Sequence, residues 1–179
     1  MNISATLLKL FGWRVHITAP DYPKAIICVA PHTSNMDFII GKLAYASVGR
    51  KAGFLMKKFW FFFPIGYLMR AIGGIPVDRS GGSPSLVADI VERFNRTDNL
   101  VLAITPEGTR KRVEKWHTGF LRIAYAAGIP VAIGIIDYAT RSVIIRDTYN
   151  PTGNIDKDMS CIKEYYRAYQ GKYPERFAI

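Results

Sequence analysis

Ala25-Ile-Ile-Cys-Val-Ala30-Pro31-His32-Thr-Ser-Asn-Met-Asp37 is the stretch that decides the fold. Six apolar residues without alternation read as a strand buried on both faces, the kind found inside parallel sheets. Pro31 ends the strand. A histidine and, five positions later, a carboxylate follow at the expected start of a helix. Open α/β sheets carry their chemistry there, outside the carboxyl ends of the strands. On a regular helix, residues five apart point about 140° away from each other. His32 and Asp37 therefore meet only if the histidine precedes the helix and the aspartate lies in its first turn. Met in that way, they form a base and the carboxylate that orients it, since imidazole titrates closest to neutrality. The alternative is a strand-end histidine satisfied by backbone and an acid favoured by the helix dipole.

Working outward, strand and helix patterns alternate. A helix is expected over about 37–48 and a short strand over 53–56. An apolar stretch over 59–72, broken at Pro64, predicts one or two short helices. The strand 74–77 is placed near an edge by Pro76. Ser83 as cap and Pro84 at the first helical position open the next helix. Residues 100–104 read as a fully buried strand, and a helix over 121–127 stops at Gly128. Strands 131–136 and 142–146 form a hairpin around 138–141, and a helix over about 156–170 closes the chain. This alternation predicts a single α/β domain over 1–179 with a largely parallel sheet flanked by helices. Residues 1–20 form an N-terminal helical segment whose Leu7, Leu8, Leu10, Phe11 and Trp13 either dock on the core or lie on a bilayer.

The chain carries a formal charge of +10 and is 49% apolar, which points to anionic partners and an oily surface or core. Lys57 and Lys58 border Phe59-Trp-Phe-Phe-Phe63, and Arg70 follows closely. Aromatics flanked by cations suit a membrane interface. No run of 18 apolar residues predicts a transmembrane helix, and the N-terminus is not a good signal peptide. Two cysteines, Cys28 and Cys161, give no disulfide framework, so a cytoplasmic setting is expected. Nucleic acid is not an expected partner: no recognition helix, zinc spacing or RNA-binding aromatic motif accompanies the charge.

Two further strand ends carry polar residues. Gly73-Gly-Ile-Pro-Val-Asp-Arg79 ends in an acid and an arginine, and Thr105-Pro-Glu-Gly-Thr-Arg110 follows the strand 100–104. Gly108 permits positive φ or close ligand approach to the backbone. Arg110 offers a planar fork matched to phosphate. Glu107 either orients Arg110 or another base, or accepts a hydrogen bond from a substrate hydroxyl. Read locally, the segment is also a tight turn closed by a Glu–Arg pair.

In order, His-x-x-x-x-Asp, Gly-Gly-Ile-Pro-Val-Asp-Arg, Pro-Glu-Gly-Thr-Arg and Ile129-Pro-Val-Ala132 resemble the four motifs of the glycerophospholipid acyltransferases, which include the 1-acylglycerol-3-phosphate acyltransferases. The resemblance spans residues 25 to about 136. It implies acyl transfer from acyl-CoA or acyl carrier protein to a hydroxyl of a lysophospholipid, with no cofactor or metal. Carried over by position, His32 is the general base and Asp37 its partner. Arg79, Glu107, Gly108, Thr109 and Arg110 line the acceptor site, and Lys57 is a further phosphate-site candidate. The expected location is cytoplasmic, peripheral on the inner face of the membrane. Backbone N–H groups just after His32 are candidate oxyanion donors. Thr105 stands where relatives commonly carry Phe, and the residues between His32 and Asp37 also differ, which leaves an amino-acid-derived acceptor open. A noncatalytic anionic-lipid-binding module is the rival reading.

Overall fold

The computed structural model describes residues 2–77 and 82–179. Among them, seven strands form one sheet: β1 (Arg14–Ile17), β2 (Lys24–Ala30), β3 (Gly53–Lys57), β4 (Gly74–Val77), β5 (Leu100–Ile104), β6 (Val131–Asp137) and β7 (Ser142–Tyr149). The order across the sheet is β1-β7-β6-β2-β5-β3-β4. Every pairing is parallel except the β6–β7 hairpin. The expected α/β architecture is therefore the one found, with β4 at an edge.

The helices are α1 (Ile3–Leu10), α2 (Met36–Ser47), α3 (Ile65–Ala71), α4 (Gly82–Arg96), α5 (Gly119–Ala127) and α6 (Ile155–Glu164). A short 3-10 turn, Lys58–Trp60, precedes α3, so residues 59–72 do divide around Pro64. Chain direction decides which face each helix covers. The connections β2-α2-β3 and β3-α3-β4 move one way across the sheet, whereas β4-α4-β5 and β5-α5-β6 move back. Right-handed crossovers then put α2 and α3 on one face and α4 and α5 on the other. The larger core lies under α4, α5 and α6, where Ile26, Cys28, Leu102, Phe120, Leu121 and Ile162 are buried. α1 packs on α2 through Leu8, and the Asn2 amide caps the far end of α2 at the Ser47 carbonyl (2.7 Å).

Several boundaries differ from the sequence expectation. α4 begins at Gly82, placing Ser83 inside the first turn rather than before it. Pro84 fits there because first-turn N–H groups have no intrahelical partner. Of β5, only Leu102 is fully buried. Val101 and Ala103, partly buried, pack on a smaller cluster of Ala19, Ile27, Ala52, Ala132 and Ile145. The last helix stops at Glu164 because tertiary anchors take over: the Tyr166 hydroxyl donates to the Cys28 carbonyl (2.6 Å). β1 was not expected. Its four residues, Arg-Val-His-Ile, are too few to show a period, and pairing with β7 creates it. Trp13, which the sequence leaves open between core and bilayer, packs edge-on against Tyr138, centroids 5.0 Å apart.

Candidate active site

Four adjacent parallel strands, β2, β5, β3 and β4, end on the same edge of the sheet. Each is followed by one of the candidate groups: His32 after β2, the Glu107–Arg110 turn after β5, Lys57 at the end of β3, and Arg79 beyond β4. Arg79 lies outside the described residues.

His32 stands between β2 and α2, and Asp37 is the second residue of α2. Their side chains meet: His32 Nδ1 lies 3.2 Å from Asp37 Oδ2. Asp37 is buried and surrounded by donors. Its Oδ2 accepts the N–H groups of Thr33 and Ser34, both at 2.8 Å. Its Oδ1 accepts the Ser34 hydroxyl (3.1 Å) and the Tyr138 hydroxyl (2.8 Å). The Ser34 oxygen in turn accepts from Met36 N–H (3.0 Å). Asp37 thus closes the start of α2 in the manner of a capping box and faces the histidine as well. The cap explains the local structure, and the cap holds the pair together. Burial pushes the Asp37 carboxyl up, but His32 beside it and the hydrogen bonds from Ser34 and Tyr138 outweigh it and leave the group below the usual carboxylate range.

Two of the backbone N–H groups near the helix start, those of Thr33 and Ser34, are committed to Asp37. A donor already bonded to a buried carboxylate is poorly placed to stabilise a second anion.

Glu107 is also buried, and it turns away from Arg110. Its Oε1 accepts the backbone N–H of His32 (3.1 Å), while Oε2 has no protein partner among the described residues. With a single strong donor, burial dominates and pushes the Glu107 carboxyl up to about 7. Gly108 adopts φ +66°, and the His117 ring lies where a Cβ would stand (2.7 Å), so both conformation and space demand glycine. Thr109 is half-buried and its hydroxyl oxygen accepts from Lys111 N–H (3.3 Å). The exposed Arg110 guanidinium donates to the Asn35 side-chain oxygen, which joins the third segment to the first. Lys57 is exposed at the carboxyl end of β3.

The C-terminal segment braces this assembly. Tyr173 N–H donates to the Thr33 hydroxyl (3.2 Å), and Gly171 packs so closely on Thr33 that a Cβ there would lie 2.6 Å from its oxygen. Sequence reasoning missed Tyr138, Gly171 and Tyr173 as neighbours of the pair, and missed Asn35 as the partner of Arg110. They come from distant parts of the chain or carry no chemistry of their own.

A histidine before a helix, a buried carboxylate behind it and arginine at the rim make a site for moving a proton next to an anionic ligand. The acyltransferase family model matches residues 14–134, about two thirds of the chain, so the protein belongs to the acyltransferase family. The structure is similar to the crystal structure of the 1-acyl-sn-glycerophosphate (LPA) acyltransferase PlsC from Thermotoga maritima. The TM-score is 0.61 at 19% identity, covering 94% of this chain and 78% of that one. No curated protein matches the sequence. Family membership, expected from the four motifs, is thereby established, and the fold is shared with PlsC.

Proposed function

We propose that the protein transfers a fatty acyl group from an acyl thioester, carried by CoA or acyl carrier protein, to a hydroxyl of a lysophospholipid such as 1-acylglycerol-3-phosphate. The observation that carries this reading is the buried Asp37 carboxylate 3.2 Å from His32 Nδ1, at the strand edge shared with Arg110. With Nδ1 turned to Asp37, the other ring nitrogen, Nε2, takes the proton of the acceptor hydroxyl. The oxygen attacks the thioester carbonyl, the C–S bond breaks, and the imidazolium returns the proton to the departing thiolate. Asp37 stabilises the imidazolium between these steps. The thioester is already activated, so this route uses no protein nucleophile, metal or cofactor.

Arg110, Thr109, Gly108, Lys57 and Arg79 are the groups we assign to the acceptor's phosphate. A guanidinium binds it through paired, charge-assisted hydrogen bonds. Glu107 serves the same site from behind, by fixing the backbone of His32.

The acceptor is a membrane lipid, and one face of the protein suits that origin. Ile3, Leu10 and Phe11 of the α1 region, Phe38 and Ile39 of α2, and Phe59, Phe63 and Tyr67 around α3 are exposed. Phe59 and Phe63 are 76% and 81% accessible, too open to be core. Lys57, Lys58 and Arg70 flank them, so anionic headgroups and acyl chains are both accommodated. Phe61, by contrast, turns inward against Gly74 and under Arg70. No helix among the described residues is long and apolar enough to cross a membrane. We therefore assign a peripheral association with the inner, cytoplasmic face.

The test is direct. Purified protein is incubated with acyl-CoA or acyl carrier protein and lysophosphatidic acid, with free thiol and acylated product both measured. Thiol release matched by phosphatidic acid, lost in His32→Ala, is the expected result. Vesicle binding without turnover on any lysolipid would favour the noncatalytic lipid-binding module. Turnover only on an amino-acid-derived lysolipid would move the acceptor class but keep the mechanism.

A further inference from the structure

We propose that Tyr138, in the turn between β6 and β7, is a positioning residue for the reaction and holds the Asp37 carboxylate against His32. The inference rests on the proposed role of the His32–Asp37 pair. Tyr138 lies beyond the stretch that matches the family model, so it is not among the residues the motifs assign.

The two oxygens of Asp37 are held differently. Oδ2, which faces His32, also accepts two backbone N–H groups of its own loop. Oδ1 points away and accepts two hydroxyls. The Ser34 hydroxyl belongs to the same loop and moves with it. Among the described residues, Tyr138 is the donor to Asp37 from outside that loop, 101 positions along the chain. A carboxylate held on both oxygens cannot swing about its Cβ–Cγ bond. One held only by its own loop shares that loop's motion.

Tyr138 is itself fixed from three sides. Its backbone N–H donates to the Gln170 carbonyl (2.9 Å), and its ring meets Trp13 edge-on. The preceding residue, Asp137, is buried and accepts from Ala139 N–H, Thr140 N–H, the Thr140 hydroxyl and Gln170 N–H. These bonds brace the turn, and the brace ends at the hydroxyl that meets Asp37. Burial and the neighbouring Asp37 raise the Tyr138 phenol, so it stays a donor across the working range.

Without the hydrogen bond, Asp37 is held only by its own loop and can turn away from Nδ1, which loosens the support it gives His32. Around this loop the other titratable groups are Glu107 on the His32 backbone, Arg110 on Asn35, His117 on Gly108, and Tyr173 on Thr33. None of them changes in Tyr138→Phe, which keeps the ring and removes only the hydroxyl.

The experiment measures both the environment of the His32 ring and the reaction. Histidine-labelled protein is examined by NMR at fixed pH, with His32 assigned by its loss in His32→Ala and distinguished from His16 and His117. In Tyr138→Phe the His32 ring signals should move and broaden, because Asp37 no longer keeps one position beside Nδ1, while those of His16 and His117 stay in place. With acyl-CoA and lysophosphatidic acid, kcat should fall about tenfold, as expected for losing one hydrogen bond to a charged group, while the acceptor KM stays put. A thermal melt confirms that the variant is folded. If the His32 signals match the wild type and kcat is unchanged, Tyr138 is packing and the proposal fails. If His32→Ala keeps its turnover, the base assignment fails on its own account, and Tyr138 loses its role in the reaction with it.

Discussion

Two loops at the same sheet edge each deliver a buried carboxylate, and the two carboxylates are treated oppositely. Asp37, after β2, receives four hydrogen bonds and faces a histidine. Its carboxyl is held below the usual range. Glu107, after β5, receives one backbone N–H and leaves its second oxygen without a protein partner among the described residues. Its carboxyl rises to about 7. Burial is similar, so the number of donors decides the charge. Asp37 is kept as an anion beside His32, and Glu107 is left poised between its two forms.

The largest effect should come from Asp37→Asn. Asparagine preserves an acceptor for the backbone donors but removes the charge, so the rate should fall by roughly 10²–10⁴. Melting should show a smaller loss, about 1–2 kcal/mol, from the weakened helix start. An active, equally stable variant would reduce Asp37 to an ordinary first-turn acid.

Glu107→Gln tests the other loop through pH. A carboxyl whose folded value is raised binds more protons folded than unfolded, so its stabilisation is complete below pH 4.5 and is lost as pH rises through about 7. Asp37 has the reverse sign: its contribution is present above pH 3.8 and lost as pH falls below that. Wild type should therefore lose stability relative to Glu107→Gln between pH 5 and 8, by roughly 2–3 kcal/mol. Parallel stability curves for the two proteins would show that Glu107 is ionised throughout.

Arg110→Ala should raise the KM for a phosphorylated acceptor about tenfold with little change for the acyl donor, the loss of one charge-assisted contact. A raised KM for the donor alone would place this arginine at the phosphates of CoA or of the carrier protein. The smallest effect concerns the surface rather than the loops. Phe59→Ser with Phe63→Ser should lower binding to anionic vesicles about fivefold at high salt, where the lysine contribution is screened. Unchanged sedimentation at high salt would remove the aromatic segment from the membrane face.

How much of this was legible beforehand differs by element. The buried strand 25–30, the helix after it and the hairpin at 131–146 followed from apolar patterning and turn residues, because those signals are local. So did the condition for His32 and Asp37 to meet. β1 and the early end of α6 did not. Both depend on partners far along the chain, β7 for the first and the Cys28 carbonyl for the second. The sequence groups Phe61 with the interfacial aromatics and leaves Trp13 between core and bilayer, yet tertiary packing turned both inward.

The sequence by itself determined the α/β class, the strand edge that carries the polar groups and the family, because apolar period and motif order are properties of contiguous residues. Only the tertiary structure decided which groups hold the two carboxylates. Tyr138, Tyr173 and Gly171 reach the His32 loop from more than a hundred positions away, and the Thr33 and Ser34 N–H groups were lost to the oxyanion by bonding Asp37. The charge state of a buried acid depends on every donor around it, and that set is fixed only when the chain has folded.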